Sequence, residues 1–197
     1  MATIGLSRPY YAKYNNNEGI VTYSDGGSMG KFTELSISLN EGGDNVLYAD
    51  NGPAESDNQF SGGTASITTD DLRAELMAPV FGAKEEAINA EGLSTTGAKW
   101  YVFDDDQITP DLGIGGIIKK KVGGAIKWVA FILVKTQFTT PGIVATTQGE
   151  TITWQTQSLS AKIMRGDDEK HRWHMISSPL DSEEDAETIV KAYLNIN

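Results

Sequence analysis

The sequence predicts a mainly antiparallel β protein with one short helix in mid-chain and another near its C-terminal end. Three observations predict it. Residues 114–122 and 125–138 are β-prone runs separated by Gly123-Gly124, a pair that suits a two-residue hairpin turn because both positions need positive φ. Residues 31–39 alternate, with Leu35, Ile37 and Leu39 on one side and Glu34, Ser36 and Ser38 on the other. Only 72–81 and 182–194 carry a clear apolar stripe at one-turn spacing.

In chain order, residues 4–14 read as extended, with Pro9 on an edge or at a strand start. Residues 15–19 are a polar turn, 20–23 a returning strand, and Asp25-Gly26-Gly27-Ser28 a further loop. The stretch 41–82 organises the middle of the chain. Val46, Leu47 and Tyr48 are β-prone, Asp50-Asn51-Gly52-Pro53 is turn chemistry, and 59–69 is extended again. Thr69-Asp70-Asp71 then offers N-cap oxygens to a helix striped by Leu72, Leu76, Met77, Val80 and Phe81, and closed by Pro79 and Gly82. The least regular part is 83–113. There 84–90 has the composition of one or two helical turns, Trp100 to Phe103 form a short aromatic strand, and Thr109-Pro110-Asp111 is a turn. The run 125–138 is nearly all apolar, as a central strand covered on both faces would be. A long strand follows at 150–164, then an irregular charged loop at 166–179. In the final helix Ala186, Ile189, Val190, Tyr193 and Leu194 keep the stripe, and Ser182 with Asp185 makes a capping box with Asp in place of Glu.

A chain of 197 residues fits one domain, 1–197, with an irregular insertion near 83–113 and a helical extension at 182–197. Its net charge of −11 argues against nucleic-acid or anionic-membrane binding as the main activity. The absence of cysteine removes disulfides, thiolate metal sites and thiol nucleophiles together, and suits a reducing compartment. The first residues lack a basic segment followed by an apolar one, so no signal peptide is expected. The longest apolar stretch, 125–134, is broken by Lys127 and is too short to cross a bilayer, so no membrane insertion is expected. Charge is unevenly spread: 34–72 holds eight acids and no base, and 112–149 holds five lysines and no acid.

Chemical motifs are thin. His171 and His174 beside Asp167, Asp168 and Glu169 have metal-ligating chemistry, but the sequence around them reads as an exposed loop. Asp104-Asp105-Asp106 lacks the spacing of a calcium loop, and Gly113-Ile114-Gly115-Gly116 lacks the Lys-Ser/Thr of a phosphate cradle. No nucleophile–base pair can be named. The expectation is therefore no catalytic residue, no metal and no cofactor. Lys119-Lys120-Lys121 reads as a solvated strand face whose interest lies in its sign. Trp100, Trp128, Trp154 and Trp173 keep open a different class, a carbohydrate-binding β-sandwich with stacking platforms.

The run LYADNGPAESDNQFSGGTASITTDDL resembles the signature region of major tail (tail tube) proteins of long-tailed bacteriophages infecting Gram-positive bacteria. The opening IGLSRPYYAKY and the late strand GETITWQTQSLSAKIM, followed by a charged loop and Trp173, agree with it in order. The resemblance implies a tail-tube fold, two packed antiparallel sheets forming a sandwich or partly rolled barrel with a flanking helix. It implies six-membered rings stacked into a hollow tube, located in the virion tail and assembled in the host's cytoplasm. The implied partners are further copies of the chain and the tape measure, tail terminator and distal tail proteins, with DNA only in transit. A phage-derived bacteriocin or a contractile injection system would use the same tube. Asp44, Asp50, Glu55, Asp57, Lys119, Lys120 and Lys121 are the candidate subunit-contact residues, the lysines of one copy meeting the 34–72 acids of a neighbour.

Overall fold

Six consecutive residues, 129–134, are buried, although side chains in a strand alternate between its two faces. Both faces of this strand are therefore covered. It is β10 (Ala125–Phe138), and it lies in the middle of one antiparallel sheet. The computed structural model describes residues 2–41, 45–49, 52–57, 60–143, 145, 147 and 156–197. The elements before β10 are β1 (Ala2–Asn17), β2 (Ile20–Ser28), β3 (Phe32–Glu41), β4 (Asn45–Ala49), β5 (Gly52–Asp57), β6 (Phe60–Thr69), a 3-10 turn (Ala74–Leu76), α1 (Met77–Phe81), β7 (Lys84–Ala87), β8 (Lys99–Val102) and β9 (Asp111–Val122). After it come β11 (Gln157–Met164), β12 (His174–Ile176) and α2 (Glu183–Tyr193).

The main sheet runs β2-β1-β9-β10-β11-β6-β3, with β12 also against β10. The chain is thus mainly β and antiparallel. The two packed sheets of the expectation are one continuous sheet that curls on itself, with β4–β5 and β7–β8 as separate hairpins. Curling brings the two ends of the strand path together, because only residues 29–31 connect β2 to β3. Inside the curl lies one core, drawn from Tyr11, Phe32, Ile67, Ile114, Phe131, Leu133, Phe138 and Ile163, with Leu76, Val80 and Phe81 packed into it. A second core on the outside holds Ala12, Tyr23, Ile117, Ile132 and Val134 under Ala186, Val190 and Leu194 of α2.

Gly123 (φ 58°) and Gly124 (φ 88°) turn the β9–β10 hairpin as expected, with positive φ at both positions. Ser182 caps α2, its hydroxyl accepting the Asp185 N–H at 3.0 Å. The glycines of β9 answer a packing demand. A Cβ at Gly113 or Gly115 would overlap Tyr23 or Val190, and one at Gly116 would overlap Phe32 and Phe131. The stretch therefore seats α2 and two core rings.

Several expectations are corrected. Pro9 sits in a strand paired on both sides, where the register slips between Ser7 and Tyr10, so a bulge accommodates it in place of an edge. Asp25 to Ser28 belong to β2, with a bulge between Tyr11 and Lys13 of its partner. The helix expected over 72–81 is a 3-10 turn and five residues of α-helix, neither with a side-chain cap. Asp70 is taken up by joining β6 to β3, accepting the Lys31 N–H at 2.9 Å. Residues 84–87 are strand, not helix. The charged loop 166–179 contains β12. Of the strand expected over 150–164, residues 150–155 lie outside the described residues, and so do Asp50 and Asn51 of the expected turn; Gly52 and Pro53 open β5.

Candidate assembly surface

The lysine triplet lies at the far end of β9, beside the Gly123-Gly124 turn. Strand alternation splits it between faces. Lys119 and Lys121 share the α2 side with Ile117, and Lys120 shares the inner side with Ile118, which corrects the single solvated face read from sequence. Lys119 Nζ stands 6.0 Å from the centre of the Trp128 ring. Lys120 faces Lys127 directly across the ladder, a like-charge pair that is unfavourable on one face, and Lys127 turns to an ion pair with Asp181. Among the described residues no acidic side chain forms an ion pair with Lys119, Lys120 or Lys121.

Of the acidic candidates, Asp44 and Asp50 lie outside the described residues. Glu55 pairs across the β4–β5 ladder with Leu47, and Asp57 with Asn45. This hairpin continues from the end of β3 and the start of β6, where Glu41 faces Phe60. Following the antiparallel order from β10 through β11 and β6, that end of β3 and β6 points the same way as the β9–β10 turn. The structure therefore directs the acidic hairpin and the lysines toward one end of the sheet.

A feature the sequence analysis missed stands at the other end. Residues 83–110 form an arm, in which β7 pairs with β8 and Ile88 N–H extends the ladder to Ala98 O at 3.0 Å. Its root is fixed. Gly82 (φ 76°) lies so close to Ile108 O that a Cβ there would overlap it, and Lys84 pairs with Asp104 at 2.7 Å. The Ile108 side chain at the root is 83% exposed, and beyond the root Trp100 is 62% exposed. The signal was present in Trp100-Tyr101-Val102, but the helix-forming composition of Lys84-Glu85-Glu86-Ala87 concealed the partner strand.

The 166–172 loop is fastened to the outer face. Lys135 Nζ donates to Asp167 Oδ2 at 2.9 Å, and the Tyr14 hydroxyl donates to the same oxygen at 3.0 Å. The hydrogen bond from Lys135 holds the Asp167 carboxyl below its usual range. Burial works against ionisation of Asp168, yet its bonds from Arg172 Nε and backbone N–H also hold it low. A carboxyl whose folded pKa is depressed adds stability above its unfolded value, about 3.9 for Asp, which is lost as pH falls through the lower folded value. Asp167→Asn is therefore expected to flatten the loss of stability below about pH 4 while leaving the slope between pH 5 and 8 unchanged, as urea midpoints across pH would read.

His171 Nδ1 lies 3.1 Å from Gly166 O, and burial lowers the pKa of His174 in β12. Among the described residues no three His, Asp or Glu side chains converge as a metal cluster. Trp128 packs in the outer core, Trp173 stacks on Phe60 at 4.3 Å in the inner one, and Trp100 stands on the arm, so these three do not share a platform. Trp154 lies outside the described residues. Among the described residues no helix is long and apolar enough to cross a membrane. Compared with known proteins, the chain matches no family model and no curated protein.

Proposed function

We propose that this chain is a major tail tube subunit, a structural virion protein whose copies close into six-membered rings and stack into a hollow tube for genome passage. The observation that carries the reading is the open ladder. Among the described residues β3 ends the sheet with one neighbour, β6, and Glu34, Ser36, Ser38 and Leu39 along it are exposed. A sheet edge of this length, with no second strand paired to it among the described residues, is a template for another strand, and a copy of the same chain can supply one. The three ordered stretches of resemblance support the same reading. The acidic hairpin carrying Glu55 and Asp57 continues from this edge, which is a position for contacts between ring neighbours. The lysines at residues 119–121 are a further subunit contact. Function on this reading resides in surfaces, with the tape measure, terminator and distal tail proteins at the tube ends and DNA passing through without being held.

Negative-stain microscopy of the concentrated protein tests it. Rings or tubes of uniform diameter are the expected result. Featureless small particles at every concentration, with a monomer mass in sedimentation, would refute the proposal.

A further inference from the structure

We infer that the β7–β8 arm is an axial docking element, which seats on the Lys119–Lys121 end of the next copy of this chain along the tube. The inference rests on the tube reading and specifies one of its contacts.

Two ends of the fold are complementary in both charge and apolar character. At the arm end, Lys84 and Lys99 are occupied by Asp104 and Glu85. Exposed Glu86, Glu91, Asp105 and Asp106 have no ion-pair partner among the described residues. Beside them Trp100, Phe103 and Ile108 leave large apolar surface in water. At the opposite end stand the three lysines, with no acidic partner among the described residues, and with Ile4 (51% exposed) and Ile126 (45% exposed) among them.

Distance decides that the match is between copies. The arm returns to the sheet at Asp111, where β9 starts, and the lysines end it, so twelve residues of extended strand separate the two ends. At about 3.3 Å per residue that is roughly 35–40 Å, beyond any side chain's reach. The β4–β5 hairpin continues from the lysine end of the sheet, so a copy displaced along the strand direction offers the lysines its arm first. A contact joining two different surfaces is heterologous and repeats without closing, as stacking requires. The fixed root at Gly82 and Ile108 presents Trp100 with little ordering cost, and a rigid tryptophan is the kind of anchor that carries interface energy.

The test compares wild type with Trp100→Ser, a charge reversal (Lys119→Glu, Lys120→Glu, Lys121→Glu), and that reversal combined with Glu86→Lys, Glu91→Lys, Asp105→Lys and Asp106→Lys. Circular dichroism confirms folding, and microscopy with sedimentation reads assembly. Trp100→Ser is expected to raise the concentration needed for tubes about tenfold, a loss of about 1.4 kcal/mol per contact. The lysine reversal is expected to stop stacking and the combined variant to restore it. Zero-length carbodiimide cross-links in mixed 14N/15N wild-type tubes are expected between the lysines of one copy and the arm acids of another. Normal tubes from Trp100→Ser, or cross-links running from the lysines to Glu55 and Asp57, would overturn the arm's role and leave the tube reading standing. A wild-type chain that stays monomeric would overturn both. Retention on polysaccharide that Trp100→Ser abolishes, with assembly unchanged, would make the arm a sugar site.

Discussion

Phe131→Ala is expected to lower the unfolding free energy by about 3–5 kcal/mol, the usual cost of removing a fully buried aromatic ring. Phe131 is 1% exposed at the middle of the central strand, with its ring centre 6.3 Å from that of Phe32. Across the ladder it faces Gly116, which has no side chain to move into the space. The strands on either side of β10 are held by their own hydrogen bonds, so the cavity has little room to collapse. A urea titration reads the loss as a lower midpoint at unchanged slope. A change below about 1.5 kcal/mol would mean that the core repacks around the site, and would argue against its placement at the centre of the fold.

Gly82→Val is expected to act at the root of the arm. The left-handed backbone at φ 76° costs a β-branched residue about 1–3 kcal/mol, and the new side chain meets the Ile108 carbonyl as well. The expected signature is faster amide exchange over 83–110, with protection in β9, β10 and β11 retained. Gly92→Val is the control. It has φ 84° but nothing within reach of a Cβ, so only the backbone cost applies and the larger effect at Gly82 isolates the overlap. Equal effects at both positions would show that Ile108 does not fix the arm.

How much of this was legible in the sequence depends on whether the deciding contact is local. The β9–β10 hairpin was legible because Gly123 and Gly124 set it within a few residues, and α2 because Ser182 and the stripe Ala186, Val190, Leu194 lie within one helix. Residues 72–81 misled. Thr69 and Asp70 have cap chemistry, but Thr69 Oγ1 donates to Asp71 O two residues on, and Asp70 accepts the Lys31 N–H from far along the chain, so neither caps the helix. Residues 84–87 have high intrinsic helix preference and are strand because Trp100 and Tyr101 lie across the ladder. The glycines at 113, 115 and 116 were excluded as a phosphate cradle, but their packing role needed Val190 and Phe131, which lie far along the chain. For the candidate contacts, the opposite signs of 34–72 and 112–149 could be counted directly. That the acidic hairpin and the lysines point to the same end needed the strand order.

The place of β1 in the sheet has a consequence in time. β1 pairs on one side with β2, its immediate successor, and on the other with β9, where Leu6 faces Ile118. Synthesis at about 5–20 residues per second leaves roughly 6–20 s between the appearance of these two residues. Through that interval the β1–β2 hairpin waits on the ribosome with the row of N–H and C=O groups meant for β9 unpaired. Closure must then join segments more than a hundred positions apart, the sort of long loop that makes folding slow. The early hairpin carries Arg8 and Lys13 along its length, and its tip is the polar Asn15, Asn16, Asn17 and Glu18. Charge and polarity placed there disfavour pairing of the open edge with another chain before β9 is made.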